Sequence, residues 1–316
     1  MKTLLKFLLL LAVGSAGAQP YPSKPIHLTV AFPPGGPVDI IARLIAPKLS
    51  ETLGQQVVVE NVTGASGNIA SVRVAKSAPD GYTILAHSSG YAVNPSMYAN
   101  AGYDPEKDLT AIAIVASQPN LIVVHPSFPA KTLADLLQLA RTQKLAYASP
   151  SSGTTPHLTA ENLFRVRAKV DITHVPFKGA GPAVTALLGG QPPVGSVAAG
   201  GPMQHIKAGK LRALATSSSR RLASLPDVPT LGELGFSGME DYTWVGLFVP
   251  AGTPPEIAQK LNDAVLKAAQ APDFRSRIEN AGFEPTAAPL RETADYLRTE
   301  LKKWAQVVKD TGAKVD

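Results

Sequence analysis

The segment Ala31-Phe-Pro-Pro-Gly-Gly-Pro-Val-Asp39 joins a strand-like run to a helical one through a turn that bares its backbone N–H groups. Upstream, Ile26, Leu28, Val30 and Phe32 alternate with His27, Thr29 and Ala31, the period of two that a pleated strand imposes. Downstream, Ile40, Ile41, Leu44, Ile45 and Leu49 recur at helical spacing. Pro37 fits the first helical position, where a missing N–H costs nothing, and Asp39 lies in the first turn, where a carboxylate complements the helix dipole. A helix start carries roughly half a positive charge and several unpaired donors, so a carboxylate or phosphate can bind there without a cationic side chain. Phe32, Pro34, Gly35, Gly36 and Asp39 are therefore candidate ligand contacts.

Four further turns offer the same chemistry: Thr63-Gly-Ala-Ser-Gly67, His87-Ser-Ser-Gly90, Ser149-Pro-Ser-Ser-Gly-Thr-Thr-Pro-His157 and Phe177-Lys-Gly-Ala-Gly-Pro182. They contribute Ser66, Ser88, Ser89, Ser151, Ser152, Thr154, Thr155, His157, Lys178 and Gly179 to the candidate set, with Lys178 the single cation among these turns. A charge-assisted hydrogen bond contributes about 1.5 to 3 kcal/mol. Micromolar affinity needs about 8 kcal/mol, so four or five such bonds suffice after the cost of closing a cleft.

Catalytic readings have less behind them. The G-x-S-x-G nucleophile elbow is absent, and Ser66 or Ser152 would reach His157 and an aspartate only through tertiary coincidence. The six histidines show neither H-E-x-x-H nor a close pair, so no zinc site is expected. His157, after Pro156 at a helix start, fits a local hydrogen bond better than catalysis. Neither phosphate-binding glycine fingerprint follows the first strand, which argues against nucleotides as ligands.

The elements that must position these turns alternate strand with helix. Strand-like runs cover Gln56 to Glu60, Tyr82 to Ala86, Leu121 to Val124, Leu145 to Ala148, Ile172 to Pro176, Val194 to Ala198 and Leu211 to Ala215. Helical runs cover Asn68 to Ser77 and Leu133 to Thr142. Alternation of this kind predicts an α/β fold of mostly parallel sheets flanked by helices, with ligands beyond the carboxyl ends of the strands, where every Gly/Ser-rich turn falls. A return strand Trp244 to Val249 and helices at Pro254 to Gln270, Asp273 to Asn280 and Arg291 to Thr311 are expected to pack back on the first sheet. The expected division is a discontinuous first domain, 19–122 with 245–316, and a second domain, 123–244, since the chain exceeds what one core usually serves.

Residues 1–18 read as a cleaved secretory signal: Lys2 and Lys6 precede the apolar run Phe7 to Val13, and Ala16-Gly-Ala18 supplies small residues for cleavage. The run is well short of the roughly 20 residues needed to span a bilayer. The periplasm is the expected compartment, and the cysteine count of zero leaves no disulfide framework. Without the leader's two lysines, 28 basic side chains face 24 acidic ones, and no basic run alternates with aromatics, so nucleic acid is not an expected partner.

With the leader and these turns in view, the chain resembles the extracytoplasmic solute receptors of tripartite tricarboxylate transporters, the Bug family. The resemblance is carried by Tyr21-Pro-Ser-Lys-Pro-Ile26, Val30 to Asp39, Val58-Val-Glu-Asn61, Ala75-Lys-Ser-Ala-Pro-Asp-Gly-Tyr-Thr83, Val175-Pro-Phe-Lys-Gly179, Leu187-Leu-Gly-Gly-Gln191, Ile206 to Ala215 and Leu225-Pro-Asp-Val-Pro-Thr230. It implies a two-domain periplasmic-binding-protein (Venus flytrap) fold and a non-enzymatic, cofactor-free role. Such a protein captures a di- or tricarboxylate, an amino acid or an aromatic acid and hands it to membrane permease subunits, and a monomer is the default. It also implies that Phe32 to Asp39 hold one carboxylate mainly through backbone groups, with Ser88-Ser89 and Ser151 to Thr155 adding donors from the two domains. Phe177 stands where the family's Tyr-Lys-Gly has tyrosine. Gln191-Pro-Pro-Val-Gly-Ser196 departs from the family's apolar strand, and its prolines are expected to displace the strand start. An exported hydrolase on the same fold, or a receptor that docks on a sensor protein without transport, remain open alternatives.

Overall fold

A computed structural model describes residues 20–315; the leader expected at residues 1–18 lies outside them. The chain runs β1 (Ile26–Val30), α1 (Pro37–Leu53), β2 (Val57–Asn61), a 3-10 turn (Ala65–Gly67), α2 (Asn68–Ala75), β3 (Thr83–Ser88), α3 (Gly90–Met97) and β4 (Leu109–Val124). It continues with α4 (Leu133–Thr142), β5 (Leu145–Ser149), α5 (Thr155–Glu161), a π-helical segment (Asn162–Arg167), β6 (Ile172–Pro176), α6 (Ala180–Leu188), β7 (Val194–Ala198), α7 (Met203–Lys207) and β8 (Arg212–Thr216). The return is β9 (Tyr242–Pro250), α8 (Pro255–Gln270), α9 (Pro272–Asn280), β10 (Glu284–Pro285) and α10 (Leu290–Thr311).

Strand order is β2-β1-β3-β9-β4-β7-β5-β6, with β10 and β8 also on β4. The triplets β2-β1-β3 and β6-β5-β7 are parallel, as the strand-helix alternation predicts. The long strands β4 and β9 run antiparallel to each other and to their flanking neighbours, so each half of the sheet is mixed. β4 is longer than the Leu121 to Val124 run read from the sequence. Its 16 residues serve both halves: Leu109 to Pro119 pair with β9, while Asn120 to Val124 pair with β7. The switch falls at Pro119, which has no N–H to give a ladder.

Each half buries both faces. In the first half, Ile26, Leu28 and Val30 pack with Ile41, Ile45 and Leu49 of α1 and with Leu261 and Val265 of α8. The opposite face packs Leu85, Tyr91, Trp244, Phe248 and Trp304. The second half is sandwiched in the same way, around Tyr147, Leu163 and Phe164 on one side and Ala148, Leu187 and Val197 on the other. Strands buried on both faces read as continuous apolar runs, as Leu121 to Val124 and Trp244 to Val249 do.

Two polar contacts fix the long strands. β4 changes register between Ala111 and Ala113, and the buried Asn262 of α8 donates to the Ile112 carbonyl at 2.8 Å beside this irregularity. The buried Glu300 of α10 accepts the indole N–H groups of Trp244 and Trp304, each at 2.9 Å, which ties the C-terminal helix to β9. Pro47 lies inside α1 on an exposed position, where water can serve the carbonyl it leaves unpaired. β7 begins at Val194, beyond Pro192 and Pro193, so neither proline occupies the ladder. No helix among the described residues is long and apolar enough to cross a membrane.

Candidate functional site

The loops that follow β1, β2 and β3 face those that follow β5 and β6 across a cavity of about 540 Å³. Topology alone places them there, because the carboxyl ends of the two parallel triplets meet. Phe32, Pro34, Gly35, Gly36, Ser66, Ser88, Ser89, Ser151, Thr154, Thr155, Lys178 and Gly179 all line this cavity. Pro34, Gly35 and Lys178 are exposed at its mouth; Ser89, Thr155 and Thr243 are buried at its floor.

Two helix starts open on the mouth. In α1 the first bonded amide is Ile40, which donates to the Gly36 carbonyl at 2.9 Å, so the N–H groups of Val38 and Asp39 precede the helical ladder. In α6 the Ala183 amide donates to Gly179 at 3.3 Å, leaving Ala180 and Gly181 in the equivalent place. Both helices aim their partial positive charge at the same space, beside Lys178, the only charged side chain among the described residues that line it. This arrangement suits an anion.

Three of the expected contacts, Asp39, Ser152 and His157, are not among the residues that line the cavity. Asp39 does not line the cavity; it accepts the Gly35 N–H at 2.9 Å, Asn61 Nδ2 at 2.9 Å and Arg43 Nε at 3.0 Å. Burial pushes its carboxyl up, but the bonds from Arg43, Gly35 and Asn61 outweigh this and hold it below its ordinary range. Asp39 thus clamps the loop that follows β1. Ser152 also lies outside the lining, and its carbonyl accepts Ser66 Oγ at 2.7 Å. His157 is buried, takes the Gly153 N–H on Nδ1 at 3.3 Å and stacks on His174 with centroids 3.9 Å apart. Burial, with the nearby charges of His174 and Arg165, pushes His157 down to about 3, and burial pushes His174 down to about 4. The pair is neutral at physiological pH and acts as packing.

The two halves touch across the cleft. Ser66 Oγ donates to the Ser152 carbonyl, meets Ser151 Oγ at 3.0 Å and accepts from Tyr98 at 3.0 Å. Ser66 holds a left-handed backbone (φ 52°), which turns its hydroxyl across the gap. Ser89 Oγ meets Thr155 Oγ1 at 2.9 Å, and Thr155 meets Thr243 at 2.8 Å. No local signal marks Thr243, Tyr98 or the buried Asn120 and Asp241 behind them, since each lies outside any turn motif. Ala180 and Gly181 stood in a turn that the sequence marked but whose helix start it did not assign.

Replacing Asp39 with alanine is expected to orphan the Gly35 amide and the Arg43 and Asn61 donors. The expected cost is about 1 to 3 kcal/mol of stability and at least about a tenfold loss of ligand affinity, equal to about 1.4 kcal/mol. Denaturant unfolding and titration calorimetry measure the two effects. A variant with both values at wild-type levels would exclude the clamp.

An α/β architecture with a mixed sheet, flanking helices and a donor-lined cavity at the carboxyl ends of its parallel strands is that of the periplasmic-binding-protein class. Residues 41–313 match the family described as tripartite tricarboxylate transporter family receptor, and the chain belongs to that family of substrate-binding receptors. Among its relatives, Protein BugT of Bordetella pertussis is 38% identical over 302 residues, covering 94% of this chain and 92% of BugT. The solved structure of periplasmic binding protein BugD is 32% identical, with a TM-score of 0.86 over 93% of this chain and 99% of that one. That of R. palustris Rpa4515 with adipate is 34% identical, with a TM-score of 0.88 over 93% and 100%. The family is periplasmic, and its members include proteins of the Bug group.

Proposed function

We propose that the protein is exported through its N-terminal signal, captures a small carboxylate in the cleft and presents it to the membrane permease of a tripartite tricarboxylate-type transporter. The observation that carries this reading is the pair of opposed helix starts, α1 and α6, with Lys178 beside them at the mouth of one cavity. Such a site supplies backbone donors and partial positive charge without an acid, base or nucleophile placed for reaction, which supports binding without turnover. The adipate-bound relative supports a carboxylate as ligand. The pairing switch on β4 at Pro119 and the start of β9 at Tyr242 support a hinge between a first domain of residues 19–122 with 245–316 and a second of 123–244.

Thermal unfolding of the purified mature protein against mono-, di- and tricarboxylates, amino acids and aromatic acids tests the reading. At about 100 times the dissociation constant, a ligand stabilises the fold by about 2.7 kcal/mol, a shift of a few degrees. A shift with one acid that is recovered chemically unchanged is the expected result. Chemical conversion of the acid, lost in Ser152→Ala or His157→Ala, would replace the receptor reading with the hydrolase one.

A further inference from the structure

The floor of the cleft is a row of hydroxyls whose proton direction the structure fixes. Each hydroxyl has one proton to donate. Thr243 Oγ1 lies 2.8 Å from Asn120 Oδ1, an acceptor only, so Thr243 donates there. Thr155, 2.8 Å away, must then donate to Thr243, and Ser89, 2.9 Å further on, donates to Thr155. The orientation of the Asn120 amide decides the whole row. Its Nδ2 lies 2.7 Å from Asp241 Oδ1 and 2.9 Å from Thr159 Oγ1, which consumes both of its protons. The flipped amide would set its oxygen against the Asp241 carboxylate, two acceptors in contact. The one proton of Thr159 Oγ1 has two acceptors in reach, the Thr155 carbonyl at 2.8 Å and Asp241 Oδ2 at 2.9 Å. Asp241 is fully enclosed, and although burial pushes its carboxyl up to about 6, it remains predominantly an anion above neutral pH.

Asp241 therefore polarises a chain that runs from the cleft into the interior, and the hydroxyls of Ser89, Thr155 and Thr243 turn lone pairs, not protons, to the cleft. A carboxylate set against this row would meet acceptors, with the buried anion Asp241 behind them and no cation among the lining residues beside them. A hydroxyl or ammonium would meet partners. Between floor and mouth, Phe32, Pro33 and Phe177 line the cavity with apolar surface. Given the carboxylate-receptor reading, on which this rests, we infer that the ligand carries one carboxylate for the mouth and an O–H or N–H donor for the floor, a hydroxy or amino acid with an apolar spacer, in preference to a dicarboxylate.

Titration calorimetry above neutral pH, with length-matched straight-chain acids from the succinate to the adipate series, tests this. Each length is presented as the plain acid, the ω-hydroxy acid, the ω-amino acid and the dioate. At the best-fitting length the hydroxy or amino acid is expected to bind at least about tenfold tighter than the dioate, and the comparison of these two arms identifies the donor. A dioate that binds as tightly as both donor acids at the best-fitting length overturns the inference while leaving the receptor reading intact. Absence of binding by every acid of the series overturns the inference, and the receptor reading falls with it only if the wider thermal-unfolding panel also shows no shift.

Asp241→Asn supplies an amide donor toward Asn120, lets that amide turn and reverses the row, so the preference for donor acids should shrink to parity or invert. If that variant does not fold, Thr243→Val cuts the row from Asn120, releases the Thr155 proton and is expected to shrink the preference as well. A folded variant of either kind that keeps the full preference overturns the assigned polarity.

Discussion

Gly36→Leu is expected to weaken carboxylate binding by about a hundredfold or more, which is about 2.8 kcal/mol, while the protein unfolds within a few degrees of wild type. Gly36 has φ −82°, a conformation open to any residue, and a Cβ there meets only the Pro33 carbonyl, at 3.5 Å. The fold can thus accept the side chain, and the cavity is the space it must enter, because Gly36 lines it. There the leucine covers the N-terminal amides of α1 that the ligand has to approach. Gly67→Ala is the contrasting variant. Gly67 has φ +94°, and a Cβ there falls on the buried ring of His87, so the fold itself should be lost or strained. Calorimetry and thermal unfolding of both variants separate site from scaffold. Wild-type affinity in Gly36→Leu would remove the loop after β1 from the binding site.

The second large effect is on stability at mildly acidic pH. Burial pushes His87 and His174 down to about 4 and His157 down to about 3, all from an ordinary value of 6.5. The unfolded chain takes up these protons near pH 6.5 and the folded chain refuses them, so the neutral rings stabilise fully above that value and progressively less as pH falls toward 4. Asp241 acts in the opposite sense. Raised from 3.8 to about 6, it stabilises most in acid and loses that contribution as pH rises through 6.

Three groups outweigh one. At about 1.4 kcal/mol per pKa unit, the three histidines together lose more by pH 5 than Asp241 regains, a net loss on the order of a few kcal/mol. His157 and His174 stack and titrate as a pair, yet both shift the same way. The unfolding midpoint should therefore fall by roughly 5 to 10 °C between pH 7 and pH 5. A midpoint that is flat or rising across that interval would mean that the rings are solvated.

The candidate site was legible in part for a definable reason. Phe32 to Gly36, Ser88-Ser89 and Lys178-Gly179, which line the cavity, are legible because glycine, proline and serine at a strand end announce a turn locally, and a parallel sheet puts such turns on one edge. Asp39 was read correctly as a first-turn acid, but its partners Asn61 and Arg43 could not be assigned from its own neighbourhood. Ser152 and His157 share a donor-rich turn with Ser151 and Thr154, and only the path of that turn separates those that face the cavity from those that do not. The long antiparallel strands escaped the alternation rule because strand direction is set by pairing partners, not by side-chain period.

By itself the sequence determined the alternating elements, the edge on which the donor loops lie and the helix start at Pro37, because period, turn chemistry and proline geometry act over a few residues. The tertiary structure alone decided that β4 serves both halves of the sheet, that α6 opposes α1 across the cavity, and that Asn120 meets Asp241 from 121 positions away. Those outcomes depend on contacts between distant segments, for which a residue's type and its near neighbours carry no instruction. The direction in which Ser89, Thr155 and Thr243 pass their protons exists only once Asp241 has been buried behind them.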